Sequence, residues 1–364
     1  MNPIERAIRK VDSTQQRHTP TAFVFGVIKK YGDDNGGVLV SNLAHSAFVS
    51  IFPLLLILTT ILGLVASFDP SVKTAVLNAV SSQVPIIGSQ LLGPHGVSHL
   101  RRSSIIGLII GFLGLIWGSA GLAQAGLFTM EQVWNLPGPA RPGYVQRLGR
   151  AVLFLSLLGA GVIVTTGLAS FNTYVLKGFW AVIGAEVLAA AFNIGMYTGA
   201  FRVLTPKGVP TRNLMPGAIT GGILYTVLQV LGTWLLHHYL HSDSVYGYFA
   251  TVLGLITYIY FAVEITVYSA EVNVVLVRHL WPRAIVQPPL TEADRASMAL
   301  QALQNQRRPE QHVEVTFNDR PAEAEASPWT PETPGQVAPP AEAPSPVPEQ
   351  RGTAGTGSAA DRAK

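Results

Sequence analysis

Six long apolar runs, separated by shorter polar or basic stretches, set the pattern of this chain. They extend from about Leu43 to Ser67, Ile105 to Leu127, Ala151 to Phe171, Phe179 to Leu204, Leu214 to Leu236 and Ala250 to Val277. About 20 apolar residues rising ~1.5 Å each cross the ~30 Å hydrocarbon core of a bilayer, so every run is long enough to span. The predicted fold is all-α: a polytopic membrane helix bundle of about six transmembrane helices, with short interfacial amphipathic helices. Phe23, Val24, Val27, Ile28 and Tyr31 line one side of a segment too short to span, with Lys29 and Lys30 off that side. It reads as a helix lying on the cytoplasmic leaflet and stopped by the Asp33–Gly37 turn cluster. Val72, Ala75, Val76, Ala79 and Val80 recur with helical spacing before Pro85, which predicts short amphipathic helices on the outer surface. A last short helix is expected over Leu290–Gln306, capped by Thr291.

The sixth run departs from the rest. Thr257, Tyr260, Glu264, Tyr268 and Glu271 are spaced by three, four, four and three, so they form one polar stripe on an apolar rod. A carboxylate at mid-membrane is costly and must face protein or water. Two readings follow: a buried structural Glu264 bonded to a neighbouring helix, or a stripe that lines a polar pathway or binding cavity. In the fourth run Glu186, Asn193 and Tyr197 share a face in the same way. The pathway or binding candidates are therefore Glu264, Glu271, Thr257, Tyr260, Tyr268, Glu186 and Asn193. Glu271 is expected to anchor its helix end to Arg202 or Arg278.

Two other patterns concern packing. Gly107, Gly111, Gly114, Gly118 and Gly121 step by four, three, four and three, which predicts a groove that another backbone can approach closely. Pro53 lies inside the first run and should kink it, with Ser50 placed to satisfy the freed carbonyl region.

Composition agrees with a membrane protein. Of 364 residues, 48% are hydrophobic and only 13% charged, and mean hydropathy is +0.33, whereas soluble domains carry about a quarter charged residues. Cysteine is absent, which excludes disulfides and thiolate metal sites. The net charge of +4 does not argue for nucleic acid, because Lys and Arg cluster beside the apolar runs. They fall mostly in the N-terminal segment, the 128–150 and 202–212 loops and the tail, which places both termini in the cytoplasm. Arg101 and Arg102 count against that orientation. No cleavable signal peptide is recognised. Three regions result: a cytoplasmic segment 1–36 with the interfacial helix, a six-span domain 37–285, and a cytoplasmic tail 286–364, largely disordered by its Pro, Ala, Glu, Gly and Ser content.

The search for chemistry is short. His237, His238 and His241 lie close enough on a helix end to be weak metal candidates, but a tetrahedral site needs further ligands. No Walker loop, nucleophile elbow or His-Glu-x-x-His motif occurs. No cofactor is expected, and the chain does not read as an enzyme. Its expected partners are membrane lipids and a second copy of itself in a homo-oligomer, with no nucleic acid.

Three blocks resemble the YihY/BrkB membrane proteins, once labelled ribonuclease BN. Ala44–Leu56 follows the family's Ala-Tyr-Tyr-x-x-x-Ser-x-Phe-Pro pattern through Ala44, Ser50, Phe52 and Pro53. The second block runs from Trp117 through Trp134-Asn135 into the basic 141–150 loop. The third runs from Val209 to Asn273, with Pro216-Gly217-Ala218, Tyr246-Gly247 and an Ala270-Glu271-Val272-Asn273 ending in which Ser269 replaces the family's Gly. The resemblance adds Asn273 to the binding candidates. His45 and Ser46 stand where the family has paired tyrosines, and Tyr258 where it has a Trp. The resemblance covers about residues 20–285. It implies a bacterial inner-membrane protein, all-helical, related to proteins connected with export of lipids or lipid-linked envelope components. The expected function is transporter-like or flippase-like handling of a lipid or amphipathic envelope component. The alternatives are a non-transporting envelope scaffold and a membrane-embedded enzyme. A ribonuclease lacks support, since the residues offer no acid–base or metal cluster and no domain to hold RNA.

Overall fold

The computed structural model describes residues 3–65, 105–175, 179–205, 208–239 and 245–317. Only the backbone is described over 3–5, 52–65, 179–182, 235–239, 245–251 and most of 105–116 and 162–175. The amphipathic helices expected between residues 69 and 102, and the tail beyond 317, lie outside the described residues.

Among the described residues nine α-helices form and no strand, so the fold is all-α. They are α1 (Pro3–Arg17), α2 (Thr19–Asp33), α3 (Gly36–Val65), α4 (Ile105–Val133), α5 (Tyr144–Val175), α6 (Phe179–Leu204), α7 (Met215–Tyr239), α8 (Val245–Arg278) and α9 (Glu292–Gln304). The helices α3 to α8 coincide with the six apolar runs. They hold 25 to 34 residues each, about 38 to 51 Å at 1.5 Å per residue, more than the hydrocarbon core requires. Ile183–Leu204, Met215–Trp234 and Val252–Arg278 are apolar enough over their described residues to cross a membrane. Their outward faces carry Val187, Leu188, Ile223, Val227, Leu231 and Leu253, exposed in the isolated chain as lipid-facing side chains are.

The long helices close into a ring. Each packs against the next from α3 to α8, and α8 returns to α3. One close approach joins α6 and α7. A Cβ on Gly222 would lie 2.6 Å from the Ile194 backbone nitrogen, so only glycine fits. The expected glycine groove of α4 is partly corrected. Gly121 is exposed with open space where a Cβ would stand, while the off-register Gly126 is buried, and a Cβ there would stand 3.4 Å from Leu204 of α6. The glycine register tracked one face, but α4 turns a different face to α6. The side-chain surroundings of Gly107, Gly111, Gly114 and Pro53 lie outside the described residues. Ser50 is also corrected. Its hydroxyl reaches the Ser46 carbonyl at 2.7 Å and the Gly118 carbonyl of α4 at 2.6 Å, rather than the Val49 carbonyl that Pro53 leaves unpaired. It ties α3 to α4.

Three helices end alike on one side of the bundle. Asn35, Asn135 and His279 take left-handed φ of 54°, 46° and 55° just after α2, α4 and α8. At α4 the Leu136 N–H reaches the Glu131 carbonyl and the Asn135 N–H the Gln132 carbonyl, both at 2.9 Å, which satisfies orphan carbonyls in a Schellman arrangement.

The terminal helices pack onto this side. Asp294 of α9 is fully buried and accepts from Lys29 at 2.9 Å, Arg283 at 2.6 Å, the Ala284 N–H at 3.1 Å and the Thr291 hydroxyl at 2.8 Å. Thr291 caps α9 as expected and forms a capping box with Asp294. Arg283 also pairs with Asp33 at 2.6 Å, and Asp12 of α1 accepts from the Ile285 N–H at 3.0 Å. Residues up to Val315 thus form one compact unit, and the boundary expected at residue 286 falls inside it. Interfacial helix α2 is corrected in the same way. Lys30, read as solvent-facing, is wholly buried, while Val24 and Ile28 from the apolar side are exposed. Of the expected apolar side, Val27 is buried and Phe23 and Tyr31 pack against the core, joined by Ala22 and Gly26.

Two outcomes are expected. Gly222→Val should sharply reduce folded yield in detergent, while Gly195→Val, which meets open space, should not; equal thermal unfolding of the two would contradict the α6–α7 contact. Burial would raise the Asp294 pKa, but its bonds to Arg283, Lys29, Ala284 and Thr291 outweigh burial and hold it below the usual carboxylate range. A lowered folded-state pKa adds stability that is complete above the unfolded value of about 3.9 and drains away as pH falls through the folded value. Thermal stability should therefore fall in acid below about pH 4. Asp294→Asn should destabilise at neutral pH and flatten that acid dependence.

Candidate functional site

The polar stripe of α8 is real as a face, but its environment changes along its length. Thr257 and Tyr260 are exposed, Glu264 and Tyr268 half-buried, and Glu271 fully buried. The change comes from α2, which covers only the C-terminal half of α8. Tyr31 of α2 stacks on Tyr268 with ring centroids 4.1 Å apart and planes within 8°. Gly36 makes room for that ring, since a Cβ there would stand 2.6 Å from Tyr31 Cγ. Burial pushes the Tyr31 phenol up to about 12, followed by the fields of Glu264, Tyr268, Tyr260 and Glu271. Tyr31 therefore stays neutral at physiological pH.

Glu271 meets a different partner from the arginines expected for it. Lys30 Nζ lies 3.5 Å from its carboxylate, and both side chains have no exposure. Lys30 also pairs with Asp34 and donates to the Val133 carbonyl at 3.2 Å, capping the end of α4. Asn135 continues the chain of bonds to Asp34 and to Gln304 of α9, both at 3.0 Å. Arg202 and Arg278 bond instead to the carbonyls of Val209 and Trp134, at 3.2 and 3.4 Å. The sequence placed Lys30 wrongly because a surface helix normally turns lysine outward. The four-residue spacing from Lys30 to Asp34 was the available signal.

Asn273 is a structural anchor. Its side-chain oxygen accepts from the Gly217 N–H at 2.7 Å, one of the orphan donors in the first turn of α7. Ser269 and Asn273 press on Gly217 so closely that no Cβ fits, which links the Pro216-Gly217 and Glu271-Val272-Asn273 blocks physically.

On α6, Asn193 is buried and donates to Thr226 and Gln229 of α7, both at 2.9 Å. Tyr197 meets Thr266 of α8 at 3.0 Å. Glu186 is exposed two turns away and is not brought to them. The side chains of His237 and His238, and all of His241, lie outside the described residues.

Inside the ring lies a cavity of about 350 Å³. All six long helices contribute, through Leu43, Met130, Phe154, Phe201, Tyr225 and Val263 among others. Asn193, Tyr197 and Thr266 are its main polar groups and are bonded to neighbours as above. The lining is thus apolar, with a few fixed polar points, as in small-molecule sites of about 300–1,000 Å³. None of its apolar lining was picked out from sequence, since each residue reads there as ordinary core.

Lys30→Met should cost about 3–5 kcal/mol by leaving two buried carboxylates without their cation. Adding Glu271→Gln should restore part of the loss. A double-mutant cycle on thermal unfolding measures it, and simple additivity would separate the two residues.

A family model described as Virulence factor BrkB matches residues 27–288. The chain is 24% identical to a UPF0761 membrane protein of Pseudomonas paraeruginosa over 259 residues, 68% of this chain and 61% of that protein. It is 25% identical to a UPF0761 membrane protein of Alcanivorax borkumensis, over 69% of this chain and 59% of the relative. It is 21% identical to the inner membrane protein YhjD of Escherichia coli, over 73% of this chain and 85% of the relative. The matched part thus spans about three fifths of the two UPF0761 relatives. No solved structure matched.

Proposed function

Because the chain belongs to the BrkB family of multi-pass membrane proteins, we propose that it carries a lipid or other amphipathic envelope component between membrane faces, as a flippase-like transporter rather than an enzyme. The observation that carries this reading is the apolar cavity lined by all six long helices. Its few polar groups bond to one another across helices, so the wall offers little to water and much to an acyl chain. The half-buried Glu264, beside the Tyr31–Tyr268 stack, supplies a polar track on the outer side of α8. In this reading the protein resides in the bacterial inner membrane, where the relative YhjD is named as residing, with both termini in the cytoplasm. The clustered Lys and Arg support that orientation.

A scaffold reading has its own support. The bonds of Asn193 to Thr226 and of Ser50 to Gly118 serve equally well as polar glue between helices. The two readings part on function. Purified protein in liposomes should accelerate the movement of fluorescent lipid between leaflets, read by quenching of the outer leaflet. Ala200→Trp, which fills the cavity, should abolish the acceleration, and Glu264→Gln should reduce it at least tenfold with unchanged thermal unfolding. Rates equal to protein-free vesicles would overturn the transport reading. A Glu264→Gln protein as active as the unsubstituted one would remove Glu264 from the pathway.

A further inference from the structure

One end of the apolar cavity is rimmed by charge. Met130 of α4, Phe154 of α5, and Phe201 and Leu204 of α6 line that end. Glu131 follows Met130, Arg150 lies one helical turn before Phe154, and Arg202 stands between Phe201 and Leu204. Arg147 reaches the Glu131 carboxylate at 3.7 Å. The fields of Arg141 and Arg150 also act on that carboxylate, and the field of Arg202 acts on Arg150. Three guanidiniums therefore share one carboxylate, with Arg202 as a fourth positive charge near Arg150. Arg202 is exposed and Arg150 half-buried, so both are open to a ligand. The hydroxyls of Thr129 and Thr205, both buried at this end, have no hydrogen-bond partner among the described residues.

Guanidinium is the side-chain group best matched to phosphate and carboxylate. It offers five N–H donors in a planar fork, and the carbonyl bonds made by Arg141 and Arg202 use only one each. An apolar cavity with arginines within a helical turn of its lining residues fits an amphipath with a negative head. We propose that Arg150 and Arg202 bind the anionic head group of a membrane lipid whose acyl chain enters the cavity, so that the protein selects anionic over zwitterionic lipids. The proposal rests on the cavity reading above and adds the substrate class. These arginines lie on the side of the basic loops, which the proposed orientation turns to the cytoplasm.

The test uses the full chain in nanodiscs of phosphatidylcholine containing a trace of phosphatidylglycerol or phosphatidylcholine with a photoreactive acyl chain. Crosslinking to peptides of α4, α5 and α6 is read by mass spectrometry. The unsubstituted protein should crosslink the anionic probe at least tenfold more. Arg150→Gln/Arg202→Gln should lower anionic crosslinking on the order of fivefold per arginine, at unchanged zwitterionic crosslinking. The charge-matched Arg6→Gln/Arg17→Gln, on exposed positions of α1, should retain the preference. Arg150→Lys/Arg202→Lys should keep part of it, which separates charge from folding. A double Gln variant that keeps the preference overturns the head-group assignment and leaves the cavity reading intact. Equal loss in the α1 control reduces the effect to general surface charge and also overturns it. Displacement of the anionic probe by inorganic phosphate alone identifies a free-anion site and overturns a lipid ligand. Absence of crosslinking by either lipid overturns the cavity reading and this proposal with it.

Discussion

Lys30 carries an ammonium with no access to solvent, and the position of three helices depends on it. A buried charge is tolerated only where opposite charge and acceptors are already in place. Here Asp34, Glu271 and the Val133 carbonyl supply them from α2, α8 and the end of α4. Around this point the network extends through Asn135 to α9, while Asp33, Arg283 and Asp294 form a second set beside it. Helix α2 is thereby locked to the bundle. The segment after the last span is bound into the same layer.

That lock concentrates buried charge at one end and leaves the rest of the bundle free to be apolar. Membrane helices gain little from the hydrophobic effect against each other, so close packing and occasional polar bonds hold them. Gly222 against Ile194, Gly217 under Asn273, and Asn193 with Thr226 are such contacts on α6, α7 and α8. Where the ring does not pack tightly, it leaves the central cavity. The cavity therefore follows from the packing of six helices around it.

The polar stripe takes on two roles because α2 covers only part of it. Glu271 and Tyr268 are drawn into the lock, whereas Tyr260 and Thr257 remain outside it. Glu264 sits at the boundary, half-buried beside the aromatic stack. A single face of one helix thus passes from structural to accessible within about four turns.

The sequence by itself determined the all-α class, the six long helices, the Thr291 cap of α9 and the stripe on α8. These follow from local properties: apolar length against bilayer thickness, a side-chain oxygen three residues before an orphan N–H, and the 3.6-residue period. Tertiary structure alone decided which charges are buried. Lys30 looks solvent-facing on its own helix, and only α4 and α8 together supply the partners that let it turn inward. It also decided that Asn273 anchors Gly217 and that Gly126, not Gly121, meets α6, because the rotation of each helix is set by its neighbours. The cavity was invisible in the chain, since a side chain lining a void has the same identity as one filling a core. Only the closure of α8 onto α3 separates the two.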